Sequence, residues 1–426
     1  MSFRLWMLLC CFWMVPLGTA APAPAAEKPN ILMIISDDQA WWDYGFMGHE
    51  HIQTPHIDKL AAQSLTFTRG YVPDSLCRPS LASMITGLYP HEHGIVGNDP
   101  RPKSKENREA MIKNIEQHPT LPRLLAKEGY LSLQTGKWWE GAPSRGGFTH
   151  GMTRGFPQKG GRHGDDGLKI GRNGLKPITD FLDEAKKQDK PFFIWYAPFL
   201  PHTPHNPPKR LLNKYKAKAP SVPIAKYWAM CDWFDETCGQ LLKILDDRKL
   251  AENTVVLYVC DNGWINQKKA SRYAPRSKRS QYDGGLRTPI MVRWPGKVKP
   301  RMDKTTPVSS IDLAPTALAA VGMKAPEAMS GVNLLDEQAV SNRERIFGEV
   351  FAHDVLDLND PSATLKWRWV IEGRYKLIVP NPKTRPKDPV ELFDVIADPH
   401  EKKNLAAEKP QKVQTMTQAL NNWWKP

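Results

Sequence analysis

The 426 residues, 41% of them hydrophobic, suffice for one large domain with an appendage or for two domains, and they exclude a disordered chain. Fifty-nine basic against 45 acidic residues leave a formal net charge of +14, a surface that attracts anions. No zinc finger, basic helix or aromatic RNA-binding signature accompanies that charge, which argues against nucleic acid and leaves anionic carbohydrate or acidic lipid.

The chain opens as an export signal. Arg4 supplies the positive charge, residues 5–17 an apolar stretch, and residues 20–26 a small-residue cleavage zone. Residues 1–26 are therefore expected to be removed, with the mature protein in the periplasm or outside the cell. The apolar stretch is too short to span a membrane and no later segment reaches that length, so no stable membrane insertion is expected. Removal leaves Cys77, Cys231, Cys238 and Cys260, too few for a disulfide framework. Cys231 and Cys238 fall in a helical stretch and are expected to pack as small apolar residues.

The first expected strand is 30–36, an apolar β-rich run that ends in Asp37-Asp38. A helix follows over 54–64, with Thr54 as its N-cap and Pro55 at its first position. Cys77 lies in a Pro-rich loop. Further on come a helix over 119–128, a strand over 131–135, a helix over 176–187 and a strand over 192–197. A long amphipathic helix spans 227–246, and the strand 254–260 exits into Asp261-Asn262-Gly263. A last strand covers 289–294. The segment 141–174, rich in Gly and basic residues, is long for a connection and reads as a functional loop.

This alternation predicts an α/β fold with a large, mostly parallel or mixed sheet sandwiched by helices over 27–340. Ligands in such folds bind at the carboxyl ends of the strands. Asp37, Asp38, Lys137, His202, Asp261 and Asn262 all fall at those exits. Beyond residue 340 the pattern changes to antiparallel strands at 346–350, 367–372 and 375–379, then a helix over 410–424. A smaller C-terminal α+β subdomain over 341–426 is expected.

Three carboxylates and one amide oxygen come from Asp37-Asp38 and Asp261-Asn262. Hard oxygen donors of this kind suit Ca²⁺, with Mg²⁺ as the lesser alternative, and not zinc. Asp-Asp after a strand is by itself more often a turn or a helix cap; the second pair is what tips the reading towards a metal. The run 268–279 is dense enough in Lys and Arg to suggest an anion-binding rim.

Cys77-Arg78-Pro79-Ser80 followed by Thr86-Gly87 is the sharpest signal. Together with the strand 30–38, Tyr282-Asp283-Gly284-Gly285, Ile311-Asp312-Leu313-Ala314-Pro315-Thr316 and Glu391-Leu392-Phe393-Asp394, it resembles the formylglycine-dependent sulfatases of the alkaline phosphatase superfamily. Asp398-Pro399 and Asn404-Leu405 extend the resemblance to about residue 406. The resemblance implies that Cys77 becomes formylglycine, through a formylglycine-generating or anaerobic sulfatase-maturating enzyme. Its hydrate would be the nucleophile. Asp37, Asp38, Asp261 and Asn262 would hold Ca²⁺ beside Cys77, which is itself expected among the metal's ligands. Lys137 and Lys278 would grip the sulfate oxygens, and His202 would protonate the leaving alcohol or bind sulfate.

Two positions depart from that family's pattern. Leu81 stands where an arginine is expected four residues after the nucleophile, and Trp139 where a histidine is expected two residues after Lys137. Arg78, or an arginine of the long loop such as Arg145, Arg154 or Arg162, is expected to restore the missing charge. The leading expectation is hydrolysis of a sulfated carbohydrate. A phosphodiesterase or phosphonate hydrolase, and a catalytically silent binder of sulfated glycans, are the alternatives.

Overall fold

The structure, a computed structural model, describes residues 28–161 and 165–426. The expected signal peptide and Arg162 lie outside the described residues. Asn30–Ser36 is the central strand of the large sheet, and all seven of its residues are buried. Ile31, Met33 and Ile35 pack into the core on one face, Leu32 and Ile34 into the core on the other. A strand covered on both sides has no need of polar alternation, which is why it reads as one apolar run.

Thr254–Cys260 and Phe192–Ala197 flank this strand, both parallel to it. Beyond Phe192–Ala197 lie Leu131–Gly136 and the short edge strand His150–Gly151, also parallel. On the opposite side Arg287–Arg293 runs antiparallel between Thr254–Cys260 and Leu65–Tyr71. Arg301–Asp303 and Val308–Ser309 complete that edge, parallel to Leu65–Tyr71. The sheet is thus mostly parallel with one reversed strand, as expected. Helices Lys176–Lys187 and Val222–Asp247 cover one face, and Cys77–Thr86 with Leu313–Ala320 cover the other.

Three of the differences from the sequence reading bear on the site. Leu65–Tyr71 is a fully buried strand that the reading lacked, because Thr66, Thr68 and Arg69 interrupt its apolar pattern. The long helix begins at Val222, five residues early, with the Ser221 hydroxyl accepting from the Ile224 N–H. Cys77 opens the helix Cys77–Thr86 instead of lying in a loop. Pro79 is tolerated there because first-turn N–H groups have no intrahelical partner, and Gly87, at φ 68°, ends the helix in the left-handed region. All four cysteines among the described residues are free and buried. No helix of the described residues is long and apolar enough to cross a membrane.

The C-terminal antiparallel sheet has the order Arg345–Phe351, Leu365–Glu372, Tyr375–Pro380, Glu391–Asp394. Helix Pro410–Trp423 packs Met416 and Leu420 against Val370, Leu377 and Leu392. A second link to the rest of the protein is the parallel ribbon of Asp99–Pro100 with Asp354–Val355.

A buried ion cluster joins the two sheets. Lys376 Nζ lies 2.8 Å from both Asp283 Oδ1 and Glu401 Oε1. Tyr71 donates its hydroxyl to Asp283 Oδ2 at 3.0 Å, and the Asp283 N–H donates to Glu401 Oε2 at 2.7 Å. Removing the only ammonium of such a cluster strands two carboxylates away from water. Lys376→Met is therefore expected to lower stability by about 3–5 kcal/mol, read from urea unfolding. A loss below about 1 kcal/mol would show that the cluster is not needed to hold the sheets together.

Candidate functional site

Strand register builds the site. The central strand pairs with Thr254–Cys260 residue by residue, from Asn30 opposite Thr254 to Ser36 opposite Cys260. Both strands therefore end together, and Asp37-Asp38 emerges beside Asp261-Asn262. The Asp261 N–H donates to the Ser36 carbonyl at 2.9 Å, and the Asp38 N–H to Asp261 Oδ1 at 3.1 Å. Asp38 sits at φ 66°, a left-handed conformation that Asp tolerates better than most residues.

Two lysines reach the carboxylates from opposite sides. Lys137, just past the end of Leu131–Gly136, places Nζ 2.6 Å from Asp37 Oδ1 and 3.2 Å from Asp261 Oδ2. Lys278 places Nζ 2.6 Å from Asp38 Oδ1 and 2.9 Å from Cys77 Sγ. Asn262 Nδ2 donates to the same Asp38 oxygen at 2.6 Å. His202 Nε2 lies 3.3 Å from Asp38 Oδ2 while its Nδ1–H donates to the Thr203 carbonyl at 2.6 Å.

Three carboxylates face two ammonium groups, all of them buried. Burial raises the Asp37 carboxyl well above its usual range, only partly opposed by Lys137. Burial disfavours the charged form of Lys137, but Asp261 and Asp37 outweigh it and hold the ammonium well above its ordinary value. The Cys77 thiol is pushed up to about 12 by burial despite both lysines, so it is a neutral thiol at neutral pH. Burial and the two lysines hold His202 well below its ordinary value, so its imidazole is neutral.

The donor set fits a hard divalent cation. Asp37 Oδ2, Asp38 Oδ2 and Asn262 Oδ1 are buried and accept no hydrogen bond. Orphaned buried oxygens are costly, and three of them beside a cluster of carboxylates fit a hard divalent cation. Ligand atoms of Asp37, Asp38, Cys77 and His202 all lie within 4.8 Å of one another.

The structure thus brings together Asp37, Asp38, Cys77, Lys137, His202, Asp261, Asn262 and Lys278. Two of the arginines expected to compensate for Leu81 and Trp139, Arg78 and Arg145, are already paired. Arg78 is spent on a bidentate pair with Glu140, at 2.7 and 2.6 Å, so its charge is already neutralised. Arg145 pairs with Glu109 at 2.7 Å and Glu116 at 2.5 Å. The expectation that either supplies a free cation is corrected on that ground. Leu81, on the helix that opens at Cys77, and Trp139 both belong to one buried apolar core.

Two residues absent from the sequence reading belong to this neighbourhood. Arg172 donates to the carbonyls of Phe199, at 2.6 Å, and His202, at 3.4 Å, holding the segment that carries His202. His205, 6% exposed, has neither ring nitrogen hydrogen-bonded. Its ring lies 5.9 Å from that of Trp264, which His202 faces at 6.4 Å and over which Lys278 Nζ lies at 5.9 Å. The second histidine of His202-Thr203-Pro204-His205 was a visible signal for it; Arg172 had none beyond its place in the long basic loop.

The chain is similar to known proteins along most of its length. A family profile described as Sulfatase matches residues 29–323, and one described as N-sulphoglucosamine sulphohydrolase, C-terminal, matches residues 273–424. N-acetylgalactosamine-6-sulfatase of Canis lupus familiaris is 27% identical over 370 residues, covering 78% of this chain and 69% of that protein. Arylsulfatase A of Bos taurus is 29% identical over 368 residues, covering 76% and 70%. Among solved structures, Ps i-CgsB in complex with k-i-k-neocarrahexaose superposes with a TM-score of 0.75 at 24% identity, covering 93% of each chain.

Burial holds the His205 imidazole down to about 4, below its value in an unfolded chain. A depressed folded value means the unfolded state binds the proton more readily. The stabilising contribution of neutral His205 is then complete above about pH 6.5 and is lost as the pH falls towards about 4. His205→Asn should accordingly lose less in Tm than the parent between about pH 7 and about pH 4.5. Equal losses would show that His205 is not held neutral by the fold.

Proposed function

The chain belongs to the sulfatase family, and from that premise we propose that it is an exported enzyme that removes sulfate from an anionic carbohydrate, using formylglycine made from Cys77 and a bound Ca²⁺. Sulfuric ester hydrolysis follows from the family itself. Three orphaned oxygens beside a Cys77 contacted by Lys278 carry the finer reading.

An unmodified Cys77 suits this role poorly, because a thiol held near 12 offers almost no thiolate at neutral pH. Once converted, the hydrated aldehyde would supply the attacking hydroxyl and release sulfate by collapsing back to the aldehyde. Asp37, Asp38, Asp261 and Asn262 would hold Ca²⁺, which supplies a Lewis acid for a sulfate oxygen. Lys137 and Lys278, both buried, would set two ammonium groups where negative charge grows on the sulfate. His202 enters neutral, with Nε2 free to take up a proton and return it to the departing alcohol oxygen.

Several observations support a carbohydrate substrate. The protein carries a net charge of +14, and it is similar to a relative named for N-acetylgalactosamine 6-sulfate and to a structure holding a neocarrahexaose. Export rests on the reading of residues 1–26 as a signal peptide. Maturation would fall to a formylglycine-generating or anaerobic sulfatase-maturating enzyme that accepts Leu81.

The peptide carrying Cys77, taken from protein purified from its native host, is expected to show the mass of an aldehyde in place of CH₂SH. An unmodified cysteine would remove the nucleophile and favour a catalytically silent glycan binder. The matured protein is expected to hydrolyse a chromogenic aryl sulfate in preference to an aryl phosphodiester, and the reverse preference would make it a phosphodiesterase. Lys278→Ala should lower kcat by about 10²–10³-fold. Chelation of Ca²⁺ should abolish turnover and its readdition restore it; activity that survives full chelation would exclude a catalytic role for the metal.

A further inference from the structure

Arg78 follows the nucleophile directly, and its polar atoms are taken up inside the protein. Nε and Nη2 donate to the two carboxylate oxygens of Glu140, and side chains at 2% and 4% exposure leave neither partner in water. Nη1 donates to the Asn98 carbonyl at 3.3 Å, and the Arg78 backbone N–H donates to Asn98 Oδ1 at 3.2 Å. Asn98 Nδ2 lies 3.3 Å from His353 Nε2, and His353 Nδ1 lies 2.5 Å from Asp354 Oδ1.

These contacts have a single consistent polarity. Asp354 accepts the Nδ1–H of His353, which leaves Nε2 bare to accept from the Asn98 amide. Burial holds the His353 imidazole below its ordinary value, in keeping with that neutral form. Asn98 Oδ1 is then left to accept the Arg78 N–H. The segments are tied by backbone as well: the Asn98 N–H donates to the His353 carbonyl, and the Arg101 N–H to the Val355 carbonyl, both at 2.8 Å.

Helix Cys77–Thr86 needs such help. Its N-cap residue, Leu76, offers no side-chain oxygen, so the first-turn N–H groups depend on acceptors from elsewhere. Asn98 supplies one from another part of the chain, and the Glu140 carboxylate lies on the electropositive end of the helix through Arg78. Glu140 comes directly after Trp139, and Arg78 starts the turn that carries Leu81. The pair therefore joins the two segments that lack the arginine and histidine expected of the family.

We propose that Asn98 and Glu140 are positioning residues that clamp Arg78 from two sides, orient the Cys77 side chain towards Lys278, and couple it to the His353–Asp354 pair of the C-terminal region. This rests on Cys77 being the nucleophilic position. Arg78 then acts as the held part of the clamp and not as a sulfate-binding cation.

The test uses the full-length matured protein carrying Asn98→Ala, with Glu140→Gln as a second variant. Asn98→Ala should lower kcat per formylglycine about 10- to 100-fold with KM within about twofold of the parent. Formylglycine content by peptide mass and Ca²⁺ affinity by calorimetry should stay at parent values. His353→Gln, which keeps an acceptor for Asn98, should retain more kcat than His353→Phe. A rise in KM at constant kcat would make Asn98 a substrate contact and overturn the proposal. So would an activity loss that only tracks lost formylglycine, or His353→Phe matching His353→Gln. A parent inactive on every sulfate ester would instead sink the sulfatase reading. Amide exchange in the 77–81 peptide then decides the clamp alone: faster exchange in Asn98→Ala supports it, and unchanged exchange overturns it.

Discussion

Everything at the site depends on two parallel strands ending in register. Because Ser36 lies opposite Cys260, the next residues of both strands leave the sheet at one point, and four oxygen-bearing side chains arrive together. A slip of one residue would turn Asp37 and Asp38 to exchanged faces and separate them from Asp261 and Asn262. The register is secured by the burial of all seven residues of each strand, since any slip would misplace a whole apolar face. Precision at the site is thus a consequence of packing well below it.

That convergence creates an electrostatic problem whose resolution is the chemistry. Three buried carboxylates against two buried ammonium groups leave an excess of negative charge, and three oxygens without hydrogen-bond partners face it. A divalent cation held by these oxygens would relieve the excess and turn the site electropositive. The same burial keeps the Cys77 thiol protonated and His202 neutral. Burial therefore suppresses ordinary thiolate chemistry here and keeps the imidazole uncharged.

Leu81 and Trp139 belong to the buried apolar core near Cys77, where polar bracing groups were expected. The bracing is supplied from other segments: a bidentate arginine–carboxylate pair, an asparagine that caps the helix from a distance, and a histidine contributed by the C-terminal region. The C-terminal sheet is also tied to the large one by Lys376 between Asp283 and Glu401. It thereby reaches the site from two directions, through the Tyr282-Asp283 turn and through the Asp354–Val355 ribbon.

By itself the sequence determined the α/β architecture, most strand positions and the clustering of Asp37, Asp38, Lys137, His202, Asp261 and Asn262 at strand exits. These are local properties: apolar runs of strand length, and acidic or basic residues that directly follow them. Tertiary structure alone decided where the arginines go. Arg78 and Arg145 are as charged as any other arginine in the sequence, but Glu140 in one case, and Glu109 and Glu116 in the other, lie dozens of residues away along the chain and neutralise them. Leu65–Tyr71 escaped notice because its threonines and arginine find partners only once the sheet has formed, as when Arg69 donates to the carbonyls of Thr305 and Gly373. The helical start at Cys77 was hidden for the same reason, since its cap comes from Asn98 and not from a neighbour in sequence. Pairing partners and distant caps are set by three-dimensional proximity, which a pattern of adjacent residues does not encode.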